Sequence, residues 1–188
     1  MSGIKYSLRQ ESTSFSIGTT NLRSSNGSLI DTNGCVALLV LSGFAVATIN
    51  FEKRILRKGD FVLLFYDSTF SMLSISAAFS VRYVSFAYHL IEEAIYKPLS
   101  INFWNTIYSN PVFRPNERDF KLLVEWWYQI EWVNNIKDYD YQEEILKNNI
   151  RNLLVATDIE IMDHVGDSLR NSRDHAWMLV NRFFSLLS

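Results

Sequence analysis

The stretch CVALLVLSGFAVATINFEKRILRKGDFVLLFY, residues 35–66, decides the fold. Its opening run from Cys35 to Ile49 is apolar, but Ser42 and Gly43 interrupt it and it is shorter than the roughly 20 residues of a spanning helix. Val, Ile, Thr and Phe dominate the run, and a Ser-Gly pair sits at its middle. That pattern predicts a hairpin, two strands meeting at a tight turn where glycine takes positive φ. Downstream, EKRIL, FVLLFY, FSMLSIS and VRYVSFAY repeat the theme between Lys-Gly-Asp and Asp-Ser-Thr breaks. A meander with a period of about eight residues is the signature of a sandwich or barrel.

On the N-terminal side, residues 1–34 are polar and rich in Ser, Thr and Asn. They lack the apolar core of a secretory signal and read as a polar arm. On the C-terminal side the period changes beyond Pro115. Phe120, Leu123, Trp127 and Ile130 share one helical face, as do Leu146, Ile150, Leu153, Thr157 and Ile161. A break is expected between Gly166 and Asn171, and a third helix after it. There Trp177, Val180, Phe184 and Leu187 form one apolar face and Ala176, Leu179, Phe183 and Leu186 another. The fold class is therefore α+β. Residues 1–97 form a β-barrel subdomain with its arm, and residues 98–188 form a helical layer.

Composition narrows the function. The 188 residues include 48% hydrophobic ones, enough for a sizeable core, so a disordered chain is excluded. The single cysteine, Cys35, rules out a disulfide scaffold and fits a reducing cytoplasmic setting. At the start of an apolar run it reads as a small buried hydrophobe rather than a reactive thiolate. A formal net charge of -2 gives no basic footprint for nucleic acid. The charge is also unevenly divided: residues 1–97 carry 9 basic and 7 acidic groups, residues 98–188 carry 9 and 13.

Catalytic signatures are missing. The three histidines, His89, His164 and His175, do not have the alternate-position spacing that lets strand imidazoles share an ion, so no metal site is expected. No phosphate-binding glycine loop or G-x-S-x-G elbow occurs. Adjacent carboxylates Glu92-Glu93 and Glu143-Glu144 diverge by about 100° on a helix and read as solvated surface. No enzymatic activity and no cofactor are expected. Polar residues within the apolar strands are the candidates for a small-molecule pocket: Thr48, Asn50, Tyr66 and Arg82, the last as an anchor for an anionic ligand or as a rim ion pair.

Aromatic residues supply 14% of the chain, with five tryptophans. Adjacent Trp126 and Trp127 cannot share a helix face, so one is expected to look toward another subdomain or another subunit. The other reading is that the large aromatics, these two included, pack in the core between helices and barrel.

These residues resemble the sensor half of AraC-family transcriptional regulators. The resemblance rests on Gly43, Ile49-Asn50 and Lys58-Gly59-Asp60 within residues 35–76, on the helical runs FWNTIYSNPVFRPNERDFKLLVEWWYQIEW and NNIRNLLVATDIEI, and on the final RDHAWMLVNRFFSLLS, which are similar to the connecting helices of Bacteroides-type members. It covers roughly residues 33–188. It implies a cupin-like β-barrel that takes an unknown small-molecule effector, a homodimer, and DNA contact only through an appended helix-turn-helix region that this chain does not contain. The histidine cluster of metal-dependent cupins is missing, and no ligand residue carries over by position. On this reading the dimer contact falls on the helix from Tyr141 to Met162, with Leu146, Ile150, Leu153 and Leu154 as its apolar stripe. The apolar C-terminal helix with no glycine cap points to a piece of a longer protein. The alternative is a stand-alone cupin-fold enzyme acting on a sugar or small acid.

Overall fold

Strands β2 (Cys35–Ser42) and β5 (Phe61–Phe65) are buried along nearly their whole length. A strand reaches that state only when both faces of its sheet are covered, and the layering of the molecule follows from this. The computed structural model describes residues 6–25, 27–95 and 99–171, with side chains as far as Met162. An antiparallel sheet combines β2 and β5 with β1 (Phe15–Thr20), β7 (Ser80–Phe86) and the two-residue β8 (Val112–Phe113), in the order β1-β7-β2-β5-β8. A second sheet holds β3 (Phe44–Ile49), β4 (Glu52–Arg57) and β6 (Phe70–Ile75), in the order β4-β3-β6.

Alternation then assigns each side chain to a core. Val36, Leu38, Val62, Leu64 and Val81 face the smaller sheet and meet Ala47, Ile49, Leu56, Phe70 and Met72 there. Their strand neighbours Ala37, Leu39, Phe61, Leu63 and Val84 point the other way, into the helical layer. The central sheet thus has a core on each side. Each fully buried large side chain contributes roughly 1.5–3 kcal/mol to this arrangement.

The turn at Ser42-Gly43 is not a hairpin. Strand β2 pairs with β5 and β7, while β3 pairs with β4 and β6. The register slips between Val40 and Ser42, and the chain turns a corner from one sheet into the other. Gly43 has φ +67°, and a Cβ there would lie 2.5 Å from the Phe79 nitrogen. Periodicity shows two strands but not which sheet each one joins. The hairpin in this region is β3–β4, closed by Asn50 and Phe51, both at positive φ.

The N-terminal arm is more structured than its composition suggests. Phe15–Thr20 pairs along β7 as an edge strand, and Tyr6 bonds across to Leu29 and Asp31. Leu8, Leu22 and Ile30 from this region join the core between the sheets and close one end of the sandwich.

Among the described residues, four α-helices cover the outer face of the larger sheet: α1 (Tyr88–Ala94), α2 (Ile101–Ser109), α3 (Glu117–Val133) and α4 (Tyr139–Asn171). Ser100 caps α2 through the Phe103 amide and Asn116 caps α3 through the Asp119 amide. Helix α4 is continuous through Asn171, so the expected break after Gly166 does not occur. The third helix and His175 lie outside the described residues. No helix among the described residues is long and apolar enough to cross a membrane.

Of the two interface expectations, the tryptophan one falls to its within-chain alternative and the α4 stripe is corrected. Trp126 and Trp127 are both buried within their own chain. Trp126 meets Phe86 and donates its indole N–H to Asn149 O of α4 at 3.1 Å, while Trp127 packs edge-on against Phe61. Helix α3 sits in a crevice between sheet and α4, which covers two of its faces. For the same reason the stripe Leu146, Ile150, Leu153 and Leu154 is buried in the chain's own core and offers no surface to a second subunit.

Candidate ligand site

The four polar residues singled out from the sequence do not converge. Thr48 alternates with inward-facing Ala47 and Ile49, so it stands on the outer face of the smaller sheet. Asn50 is a turn residue. Its side chain accepts from Thr69 N at 3.0 Å and donates to Tyr108 O at 2.8 Å, tying the β3–β4 hairpin to the end of α2. Tyr66 is 60% exposed just past β5 and stacks edge-on against Tyr88. Arg82 shares its strand face with Val84 and Phe86, so it points at the helices, with its guanidinium carbon 5.2 Å from the Tyr128 ring centroid. The space between the sheets, where the pocket was expected, is filled by Leu38, Leu64, Phe70 and Met72.

A concavity forms instead beneath the arm. A groove of about 700 Å³ runs between the arm turn at Ser7–Thr13, the start of β1, Tyr83 of β7 and Asn134 at the end of α3. Its volume suits a small metabolite. Phe15 and Ile17 give it an apolar wall, while Ser7, Thr13, Ser16 and Tyr83 bring hydroxyl groups. Tyr83 extends from the core between the sheets, and its hydroxyl lies 3.4 Å from Ser16 Oγ. The groove therefore touches arm, sandwich and helical layer at once.

Arg9 organises the arm side. Its Nη1 donates to Thr13 O at 2.6 Å and Gln10 O at 3.1 Å, which closes the turn. Nη2 reaches Asn33 O only at 3.5 Å, a weak contact, and Nε is buried with no acceptor among the described residues. Among those residues Arg9 makes no ion pair. Sequence reasoning missed it because it lies in a polar segment with neither strand nor helix period.

At its far end the arm is bound to the helices. Ser14 Oγ donates to Glu143 Oε1 at 2.7 Å, and His89 and Lys147 flank the same carboxylate at 3.6 and 4.0 Å. The Ser14 hydrogen bond is the largest influence on the Glu143 carboxyl and, with His89 and Lys147 beside it, holds it below the usual range against desolvation. Glu93 also pairs with Lys147. These groups form a joint between arm, α1 and α4 rather than a nucleophile and base, because Ser14 bonds the carboxylate and not the imidazole.

Cys35 is buried, and desolvation pushes its thiol far above the ordinary range. No cluster of three or more His, Cys, Asp or Glu side chains able to hold a metal ion occurs among the described residues. The Lys58-Gly59-Asp60 motif is structural: buried Asp60 accepts from Arg57 N at 2.8 Å and pairs with Arg114 Nε at 3.3 Å.

No protein-family model and no curated protein matches the chain. Solved structures do. The apo form of a variant of ToxT from Vibrio cholerae, a regulator of the AraC family, aligns over 81% of this chain and 59% of its own at 16% identity, with a TM-score of 0.52. Wild-type ToxT with a bound unsaturated fatty acid aligns over 81% and 57% at 16% identity, with a TM-score of 0.47. The chain thus spans less than two thirds of the ToxT molecules it resembles. The likeness is one of fold: an α+β domain in which antiparallel sheets precede a helical layer.

Proposed function

We propose that this chain is the effector-sensing and dimerising part of an AraC-type transcriptional regulator of the cytoplasm. The observation that carries the reading is the groove beneath the arm, where three parts of a ToxT-like fold meet. A small molecule seated there contacts the arm turn, Tyr83 and Asn134 together. Its binding energy can then favour one placement of the arm over another. Such a shift requires differential affinity for two arrangements, and the arm supplies the movable element. Its tether to α4 at Ser14 and Glu143 gives the change a route to the helices.

Dimerisation is assigned to the outward side of α4. Tyr141, Asn148, Asn152, Ile159 and Met162 are exposed and follow one another at steps of seven, four, seven and three, a spacing that suits a helix partner. Contact with DNA belongs to a helix-turn-helix region appended to this domain.

The test is a metabolite panel read by thermal shift and by amide hydrogen exchange at residues 6–14. A sensing domain raises its Tm with one ligand class and slows exchange in the arm. A panel that leaves both unchanged overturns the assignment.

A further inference from the structure

Resting on that reading, we infer that the groove takes a small hydroxylated carboxylate, of the sugar-acid type, with its carboxylate on Arg9. A guanidinium offers a carboxylate its side-on edge, formed by Nε–H and the adjacent Nη2–H. In Arg9 that edge is the one left over. Nη1 is fully used by Thr13 O and Gln10 O, Nη2 has only the 3.5 Å contact to Asn33 O, and Nε has no acceptor. A buried donor without a partner is costly, and on a cation it is more so, so an acceptor oxygen delivered to this edge is worth more than one delivered to water. The charge itself has no carboxylate partner among the described residues.

The rest of the groove defines the body of the ligand. Hydroxyls of Ser7, Thr13, Ser16 and Tyr83 and the amide of Asn134 line it, against an apolar wall of Leu8, Phe15 and Ile17. Ser7 and Thr13 already bond the backbone of the arm turn, whereas Ser16 and Tyr83 share only a long 3.4 Å contact, so a long alkyl chain would cover those two hydroxyls without pairing them and ligand hydroxyls would pair with them. The orientation follows from the helix: Asn134 caps the C-terminal end of α3, where partial negative charge disfavours an anion and favours hydroxyl donors. The carboxylate therefore lies at the Arg9 end and the hydroxylated end toward Asn134.

The test is calorimetric titration of the chain with D-glucuronate and D-gluconate, with D-glucose and hexanoate as the neutral and unhydroxylated controls. At least one sugar acid should bind saturably, about ten-fold or more tighter than either control. Arg9→Gln should weaken it at least about ten-fold, and Arg9→Lys, which keeps charge without the fork, should fall between. Because Arg9 also closes the arm turn, Tyr83→Phe serves as the second variant: it should weaken the sugar acid severalfold and leave hexanoate unaffected. No saturable binding of either acid, unchanged affinity in Arg9→Gln, or hexanoate binding as tightly as the sugar acids each overturns the inference. A neutral metabolite that slows exchange in the arm while both acids fail would sink this ligand class and leave the sensing role standing.

Discussion

Ser14 Oγ donates a 2.7 Å hydrogen bond to Glu143 Oε1, so the residue that leads the arm into β1 is fastened to α4. The same residue accepts from Ala87 N at 2.7 Å through its carbonyl, just before α1. One short polar junction thus links the arm, the sheet edge and two helices.

The junction should be acid-sensitive. A carboxyl whose folded pKa is depressed stabilises the fold above its unfolded pKa, near 4.3, and that contribution is lost as pH falls through the folded value. Between roughly pH 5 and 3 the Tm of the wild type should therefore fall more steeply than that of Glu143→Gln. Parallel curves for the two proteins would remove Glu143 from the linkage.

Two glycines of similar backbone conformation should respond differently to alanine. Gly43 and Gly59 have φ of +67° and +89°. A Cβ at Gly59 meets nothing within 4 Å, whereas at Gly43 it strikes the backbone of Ala78 and Phe79. Gly59→Ala should cost about 1 kcal/mol from backbone strain alone, and Gly43→Ala more than about 3 kcal/mol or the fold itself. Urea titration ranks them, and equal midpoints would contradict the corner geometry.

Tryptophans that look alike in sequence should separate by burial. Trp127 is fully buried and Trp132 is 61% exposed. Replacement of Trp127 by alanine should cost about 3–5 kcal/mol, and Trp132→Ala should stay within about 0.5 kcal/mol of the wild type. A large loss at Trp132 would place it in a contact that the single chain does not make.

The two sides of α4 should have different phenotypes. Leu146→Asp puts a charge into the chain's own core and should unfold it. Ile159→Asp should preserve circular dichroism and Tm while converting a micromolar dimer to monomer in sedimentation. A wild type that sediments as monomer at that concentration ends the dimer assignment.

Cys35 should be silent to thiol reagents in the native protein. With its side chain buried and its thiol pushed up by desolvation, the thiolate that reacts is almost unpopulated. Labelling by a disulfide reagent should begin only with unfolding, and rapid native labelling would contradict the packing of β2.

Legibility differed between backbone and site. The β-branched and aromatic runs FAVATI, CVALLVL and FVLLF marked strands, and the 3.6-residue period marked α3 and α4. These signals are local: they require only that a segment have an inside. The edge strand β1 was not legible, because Phe15–Thr20 has one fully buried residue and otherwise polar or half-buried ones. Nor was Arg9, whose partners Thr13, Gln10 and Asn33 mean nothing until the turn is closed.

The sequence by itself determined the α+β class, the positions of most strands along the chain and the two long helices, because hydrophobic periodicity is a property of consecutive residues. Only the tertiary structure decided that Ser42-Gly43 is a corner, that the space between the sheets is filled, that Trp126 and Trp127 face the same core, and that the open groove lies under the arm. Each of these depends on which segments meet across long sequence separation. A pattern of apolar positions states that a face must be covered, but only packing determines by what.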